Sequence, residues 1–464
     1  MMRSKSSHSN RRSGVALVTV GLAMTVLVPA IGLGIDGASL YIIRARLSQG
    51  VDAGVLAGAQ SLNVGQDIAS QTANATAVAT KYFYANFPTG LWGTSSPSVA
   101  VSVTQNDTTH LRSVAMTASV TAPLYFMNIV NINSSVVGLS ATATRRDINI
   151  MIVLDRSYSM VLGNALGPMK SASSWFVSQF ASGRDKVGLE VFGGGSYVAY
   201  SPSVNFATDS PNVSTLISEL VGGGATNTSQ ALWLAYQQLV ALDEPGALNA
   251  ILLFTDGRPT ALTGTFPVSP TTPCTYKSQR TGMITYFFDS NENPVAVGGL
   301  FQPIDTSITD VNTESMVANY SGGCAANWGG TNFYPNSTNV PQDVSAIPSA
   351  DIYGNGTNTG YQPVTLTAVS QTTTIDAASI NAADSAATRI RSDTNLVPVI
   401  YTIGLGGTTK WPPQAAFMQR ISNDPASPTF NPAQPAGMYV YSPTYAQLQW
   451  AFEQIASQLL RLSQ

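Results

Sequence analysis

The chain has 464 residues, 44% hydrophobic and only 10% charged, where an average soluble domain carries about 25% charged residues. It lacks the low hydrophobicity and high net charge of a disordered chain, and a net charge of -3 with no basic stripe beyond the first twelve residues excludes a nucleic-acid binder. Two cysteines cannot build a disulfide-dense scaffold or a four-cysteine zinc site, while the length allows a large buried core and, as a prior, roughly three domains of about 150 residues.

Arg3, Lys5, Arg11 and Arg12 precede an uncharged run over 15–35, VALVTVGLAMTVLVPAIGLGI. At 1.5 Å per residue the run spans about 30 Å, the thickness of a bilayer's hydrocarbon core. Pro29, Gly32 and Gly34 would break a soluble helix but are tolerated in a membrane helix. The basic flank puts residues 1–14 in the cytoplasm, with 15–35 a single-pass membrane helix and residues 36–464 across the membrane. A cleaved secretory signal and a buried core helix are the alternatives, and the length of the run and its basic flank favour an anchor.

Past Asp36 the Ala- and Leu-rich stretch over 38–62 continues the helix. Ala53, Gly54, Ala57 and Gly58 place small residues four apart, which permits close helix packing within the chain or between copies. A second helix is expected over 66–87, then alternating strands over 99–104, 113–120 and 136–144. Residues 36–146 thus read as a helical segment with a small α+β unit. His110 stands alone in it and reads as a surface histidine.

From Asp147 the rhythm becomes strand, helix, strand, helix. Apolar strands are expected over 148–154, 187–192, 250–255 and 397–403, with shorter ones over 197–200 and 438–441. Helices are expected from Leu166 to Phe180 and over 229–242, 374–393 and 413–422. Ser442 and Pro443 would open a final helix whose Leu448, Ala451, Phe452, Ile455 and Leu459 form one apolar face. This alternation predicts an α/β domain, a doubly wound, mainly parallel sheet formed by 147–260 and 373–464. Between them, 261–372 is rich in Thr, Asn, Ser, Gly and Pro, too long for a structureless loop, and reads as an inserted irregular or β-rich subdomain. Cys274 and Cys324 fall inside it and are expected to pair in an oxidising compartment.

One constellation carries chemistry. Asp155, Ser157 and Ser159 alternate just past the first buried strand, so their side chains can converge above the sheet edge. Thr226, in GGGATNTSQAL, stands at a loop-to-helix junction, and Asp256, in ILLFTDG, at the tip of another buried strand. All lie where strands of an open α/β sheet end, its ligand-binding edge. Every donor is a hard oxygen, which selects Mg²⁺, Ca²⁺ or Mn²⁺ over zinc or copper. With two carboxylates among five donors, such an ion would keep a position for a partner's carboxylate. The alternative is that the serines and Thr226 merely cap helices. Thr228, further in than Thr226, reads as a helix residue rather than a ligand.

DRSYS, GGGATNTSQAL, ILLFTDG and VIYTIGLG resemble a von Willebrand factor type A domain with its metal-ion-dependent adhesion site. The resemblance implies that Asp155, Ser157, Ser159, Thr226 and Asp256 coordinate magnesium. Tyr158 departs from it where such domains often carry Gly, as does the long insertion, which follows the strand that delivers Asp256. RRSGVALVTVGLAM, GIDGASLYIIRARLSQGVDAGVLAGAQSL and the closing FEQIASQLLRLSQ resemble TadG-like proteins of bacterial Flp (tight adherence) pilus assembly. That likeness implies an envelope protein working with pilus-assembly components at the inner membrane. The related cleaved pilins carry Glu five residues after a Gly; here Thr19 stands at that spacing from Gly14, so a retained anchor is expected.

A hydrolase triad needs a histidine base, and the chain has only His8 and His110. There is no G-x-S-x-G or H-E-x-x-H motif, and GGGAT and GLGG lack the lysine of a phosphate loop. The expectation is a docking protein rather than an enzyme. A surface adhesin gripping a host or matrix protein through the same site is the second reading, and an enzyme within the insertion the third.

Overall fold

The computed structural model describes residues 11–65, 67–267, 279–288, 294–301, 346–368, 371–407 and 412–462. The chain divides into two compact units.

The first unit comprises residues 1–64, 69–105 and 112–145. Its α1, Arg11–Gln60, is one continuous helix of 50 residues with Pro29 inside it. The helix has two kinds of surface. Over 17–35 its large apolar side chains are exposed, among them Leu17, Leu22 and Val26, and this part is long and apolar enough to cross a membrane. From Ile43 onward, Leu47, Val51, Val55 and Ala59 recur every fourth residue and are buried, the spacing of one helical face. They meet Ala75, Ala79 and Phe83 of α2, Ile68–Asn86. They also meet Val114, Met116, Ala118 and Val120, which alternate inward along β2, Leu111–Pro123. β2 is the middle strand of a three-stranded sheet between β1, Ser98–Asn106, and β3, Ser134–Arg146. The small residues in α1 serve packing inside this unit. A Cβ on Gly54 would lie 2.9 Å from the Ala79 carbonyl oxygen, and one on Gly58 would lie 3.0 Å from the Ala79 Cβ.

The second unit holds residues 65–68, 106–111 and 146–464. In chain order its elements begin with β4 (Ile148–Asp155), α3 (Tyr158–Leu162), α4 (Leu166–Val177), β5 (Lys186–Phe192) and β6 (Ser196–Ser203). Next come α5 (Val213–Glu219), α6 (Thr228–Leu242), β7 (Leu248–Thr255), β8 (Ala261–Pro267), β9 (Gln279–Phe288) and β10 (Pro294–Phe301). The last are α7 (Thr372–Arg391), β11 (Val399–Leu405), α8 (Ala415–Ser422), β12 (Met438–Ser442) and α9 (Leu448–Leu462). Six strands form one sheet in the order β12-β11-β7-β4-β5-β6. The pairings from β12 to β5 are parallel and β6 closes the edge antiparallel. β4 is buried along its whole length, because both sheet faces are covered. Ile148, Ile150, Ile152 and Leu154 point to the face under α4, α5 and α9, and Met151 and Val153 to the face under α6, α7 and α8.

The insertion opens as a β-rich piece. β8, β9 and β10 pair antiparallel in a separate sheet, and Leu262, Phe266 and Ile284 pack with Ile347 and with Ile375, Ala378 and Ala382 of α7. Several boundaries shift by a few residues, and two of the shifts have a visible local cause. The strand expected from 397 begins at Val399, because Val397 sits at φ 48° with its amide on the Asp393 carbonyl (3.1 Å) and Pro398 follows. Ser442 ends β12 instead of capping a helix. Its hydroxyl donates to the Thr444 carbonyl (2.8 Å), and a 3₁₀ turn, Tyr445–Gln447, leads into α9.

Close packing in the first unit is testable. Gly54→Val pushes a branched side chain against the backbone of α2 and should cost about 1–3 kcal/mol. Gly37→Ala, whose Cβ meets nothing within 4 Å, should be neutral or stabilising by up to about 1 kcal/mol, the usual helix preference for Ala over Gly. Thermal unfolding of the full chain in detergent, followed by helical circular dichroism, measures both; equal effects would sink the packing argument.

Candidate metal centre

The parallel register decides what can meet at the sheet edge. Leu154 of β4 lies opposite Phe254 of β7, so Asp155 and Asp256 leave adjacent central strands at nearly the same level. Both are fully buried. Asp155 accepts the Ser157 amide on Oδ1 (2.7 Å) and the Thr255 hydroxyl on Oδ2. The Thr255 hydroxyl in turn accepts the Gly257 amide (3.1 Å), which holds the turn after β7. Ser159 Oγ donates to Asp256 Oδ1 (2.7 Å), and Ser157 Oγ lies 3.0 Å from Ser159 Oγ. The two carboxylates are thus linked through two hydroxyls.

Thr226 reaches the same place from a third segment. A Cβ on Gly257 would lie 3.8 Å from Ser159 Oγ and 3.9 Å from Thr226 Oγ1. Gly257 therefore borders a space faced by both hydroxyls, which a larger side chain would fill. The glycines before Thr226 let this loop approach. Gly223 N–H donates to the Arg156 carbonyl (2.7 Å) and Tyr158 N–H to the Gly224 carbonyl (2.9 Å). A Cβ on Gly222 would lie 2.5 Å from Val161 Cγ2, and Gly224 has φ +83°, where a side chain is strained. Tyr158 is half exposed beside these residues and displaces none of them.

The capping alternative accounts for little of this. Ser157 is the N-cap of α3, but its hydroxyl makes no capping bond and turns to Ser159. The N-cap of α6 is Asn227, not Thr226. Burial pushes the Asp155 carboxyl up to about 6, against the hydroxyls of Thr255 and Ser157 and the Ser157 amide. A carboxylate in a dry site is stabilised in its charged form by a nearby cation. Two carboxylates and three hydroxyls suit a hard divalent ion, and the space beside Gly257 fits that donor set. Among the described residues no three His, Cys, Asp or Glu side chains gather to hold a metal, so softer metals have no alternative centre there. Cys274 and Cys324, and with them the expected disulfide, lie outside the described residues.

Several buried polar residues around the site were not singled out from the sequence. Asn227 Nδ2 donates to Thr263 Oγ1 (2.7 Å), Gln230 Oε1 (3.1 Å) and the Gly194 carbonyl (3.2 Å). The Thr260 and Ala261 amides both donate to the Thr226 carbonyl (2.9 and 3.2 Å). These bonds fasten the start of the insertion to the loop that carries Thr226. Arg258, next to Gly257, pairs with Asp376 (3.0 Å); burial pushes Asp376 up to about 6, against the Arg258 charge and the Tyr286 hydroxyl. Thr228 begins α6 as expected, yet its buried hydroxyl has no hydrogen-bond partner among the described residues. His110 lies 3.8 Å from Asp147 through Nδ1.

Residues 150–258 match the family model of the von Willebrand factor type A domain. The fold is of the von Willebrand A type. The match covers β4 to β7 and every residue of the site. Among solved structures, a mutant of the PilB minor pilin from Streptococcus sanguinis is 16% identical, with 79% of this chain and 80% of that chain aligned at a TM-score of 0.38. The pilus adhesin SpaC from Lactobacillus rhamnosus GG is 13% identical over 79% of this chain and 35% of that one, TM-score 0.38. The vWF domain of the type V pili tip protein Mfa5 from Porphyromonas gingivalis is 14% identical over 69% of this chain and 98% of that one, TM-score 0.38. No curated protein matches the chain.

Glu190 is a further buried acid the sequence did not flag. It sits on β5 opposite Val153, fully buried, and neither carboxyl oxygen has a hydrogen-bond partner among the described residues. Burial pushes it well above the ordinary 4.5. The folded chain therefore holds a proton that the unfolded chain releases, so stability is full below the ordinary value and falls as pH rises above it. The slope is about 1.4 kcal/mol per pH unit. Glu190→Gln removes it. Urea unfolding between about pH 4 and pH 8 should show the variant gaining over the native chain as pH rises, and parallel curves would refute the assignment.

Proposed function

We propose that this chain is a membrane-anchored envelope protein of Flp/Tad-type pilus assembly that docks a protein partner through a metal-ion-dependent adhesion site. The observation that carries the reading is the meeting of Asp155, Ser157, Ser159 and Asp256 in one hydrogen-bonded chain, with Thr226 facing the same space beside Gly257. Asp155, Ser157, Ser159, Thr226 and Asp256 would hold Mg²⁺, with Ca²⁺ or Mn²⁺ as the other hard ions the donors suit. A bound Mg²⁺ would supply a Lewis-acidic position for a carboxylate of the partner. The chain's own residues do the rest. Asp155 and Asp256 balance charge in a buried site, the three hydroxyls add neutral donors, and half-exposed Tyr158 offers the partner an apolar rim. A donor set of hard oxygens with no histidine base among them favours docking over catalysis.

The pilus-assembly part rests on the TadG-like N-terminal and C-terminal segments and on α1, whose exposed apolar half is long enough to anchor the chain. The orientation, with the N-terminus cytoplasmic and the second unit periplasmic or extracellular, follows from Arg11 and Arg12.

Magnesium binding is read by melting of the full chain. At about 100-fold over its dissociation constant a ligand stabilises by about 2.7 kcal/mol. Mg²⁺ should raise the melting temperature of the native chain. Asp155→Ala and Gly257→Val, the second leaving every donor in place, should lose that rise. A rise retained in both variants would refute the site. For the assembly role, deletion of the protein should reduce pili counted by electron microscopy, and unchanged pilus number would overturn it.

A further inference from the structure

The first unit carries an apolar surface that the adhesion site does not use. Asp36 follows the uncharged run directly and is 2% exposed. Its carboxylate accepts three backbone amides from one turn: Tyr125 (3.0 Å), Phe126 (3.0 Å) and Met127 (2.8 Å). This fixes the 3₁₀ turn Met127–Val130 against α1. The contact continues toward the N-terminus of α1. A Cβ on Gly32 would lie 2.5–2.7 Å from Phe126 Cβ, Cγ and Cδ1, so the Phe126 ring occupies the space that glycine leaves. Gly32 lies four residues before Asp36, about 6 Å further into the apolar run.

Large apolar side chains are exposed on and beside this turn, interleaved with the neutral polar Asn128 and Asn131. Ile129 is 72% exposed, Tyr125 and Val130 each 62%, Val136 71% and Ile132 46%. No charged residue occurs between Arg112 and Arg145. A second segment adjoins the turn. A Cβ on Gly93 would lie 3.2 Å from the Tyr125 hydroxyl, and its neighbour Trp92 is 54% exposed at φ 53°. That backbone conformation is costly for a bulky residue, and it leaves Trp92 about half exposed. Trp and Tyr favour the membrane–water boundary, where the ring sits among headgroups.

Resting on the reading of α1 as a membrane anchor, we propose that the 125–132 turn and Trp92 are embedded in the headgroup and upper acyl region of the same bilayer, on the side opposite the basic N-terminal flank. The occupant of this apolar surface is lipid, because the surface is continuous with the lipid-facing half of α1 through Phe126 on Gly32. The depth agrees: a feature about 6 Å below the end of the apolar run matches the 5–10 Å at which interfacial segments settle. Asp36 fits there, because three amide donors replace the water its charge would lose. The arrangement holds the first unit against the bilayer and fixes the direction in which the chain leaves it.

The test uses the full chain in vesicles of phosphatidylethanolamine and phosphatidylglycerol doped with a phosphatidylcholine bearing a diazirine on its acyl chain. After photolysis, adducts are mapped by mass spectrometry. Adducts are expected on 15–35 and also on 124–136, with the strand residues 148–155 unlabelled as a buried control. Ile129→Asn with Val130→Asn should lose the 124–136 adducts and keep those on 15–35, with unchanged circular dichroism. Adducts on 15–35 alone would overturn the embedding and leave the anchor standing. Adducts on neither would overturn the anchor and the embedding together.

Discussion

Two carboxylates brought dry to the ends of adjacent strands are the constraint that orders the second unit. Burying an ionised acid without compensation costs several kcal/mol, so the surroundings of Asp155 and Asp256 are built to compensate. Thr255 spends its hydroxyl on Asp155 and is positioned by the Gly257 amide. Ser159 donates to Asp256, and Ser157 stands behind Ser159. The three glycines before Thr226 exist in that loop because its backbone must lie against the Asp155 loop, with Gly222 unable to carry even a methyl group without displacing Val161. The start of the insertion is drawn in as well, through the two amides on the Thr226 carbonyl. Remove the need to bring these acids together and neither the glycine run nor that tether has a reason.

The first unit answers to a different constraint, a single helix that must suit two surroundings. Over 17–35 α1 shows large apolar side chains outward, and from Ile43 it turns one apolar face inward. The change occurs at Asp36, whose charge is absorbed by three amides of one turn. Small residues then decide the distance to α2: with glycine at 54 and 58, backbone meets backbone. Buried Arg112 completes the unit by joining the end of the helical hairpin, donating to Gln71 Oε1 (2.8 Å) and the Leu62 carbonyl (3.3 Å).

Much of this was legible in the sequence because it rests on local pattern. The uncharged run, the helix beyond it and the apolar strands of the parallel sheet each follow from periodicity. The convergence of Asp155, Ser157, Ser159 and Asp256 follows from where those strands end. What escaped the sequence depends on contacts between distant segments. Asn227 and Gln230 look like ordinary helix-start residues until Thr263 and Tyr353, the latter 123 positions beyond Gln230, arrive from the insertion. Glu190 occupies an inward position that pattern alone would give to an apolar residue. Val397, β-branched and set in an apolar run, reads as strand, but the turn fixed by the Asp393 carbonyl holds it at positive φ. The apolar turn at 125–132 gave no periodic signal, and its meaning depends on the distance to Gly32.

The sparse charge of the chain bears on how any partner could recognise it. Many of the charges it does carry are consumed inside the fold: Arg184 on Asp147, Arg420 on Asp384, Arg258 on Asp376, and Asp185 on the amides of Ile148 and Ala181. Arg389 covers the Trp233 ring at 3.9 Å while donating to the Tyr353 carbonyl (2.9 Å). Side chains committed in this way contribute little to a long-range field. A net charge of -3 over 464 residues, with salt screening beyond about 10 Å, leaves little electrostatic steering to bring a partner to one face. Selection must then act at contact range. On the second unit two carboxylates, three hydroxyl donors and half-exposed Tyr158 gather at the sheet edge around Asp155 and Asp256. The docking proposed for that edge would therefore rest on short-range contacts rather than on long-range attraction.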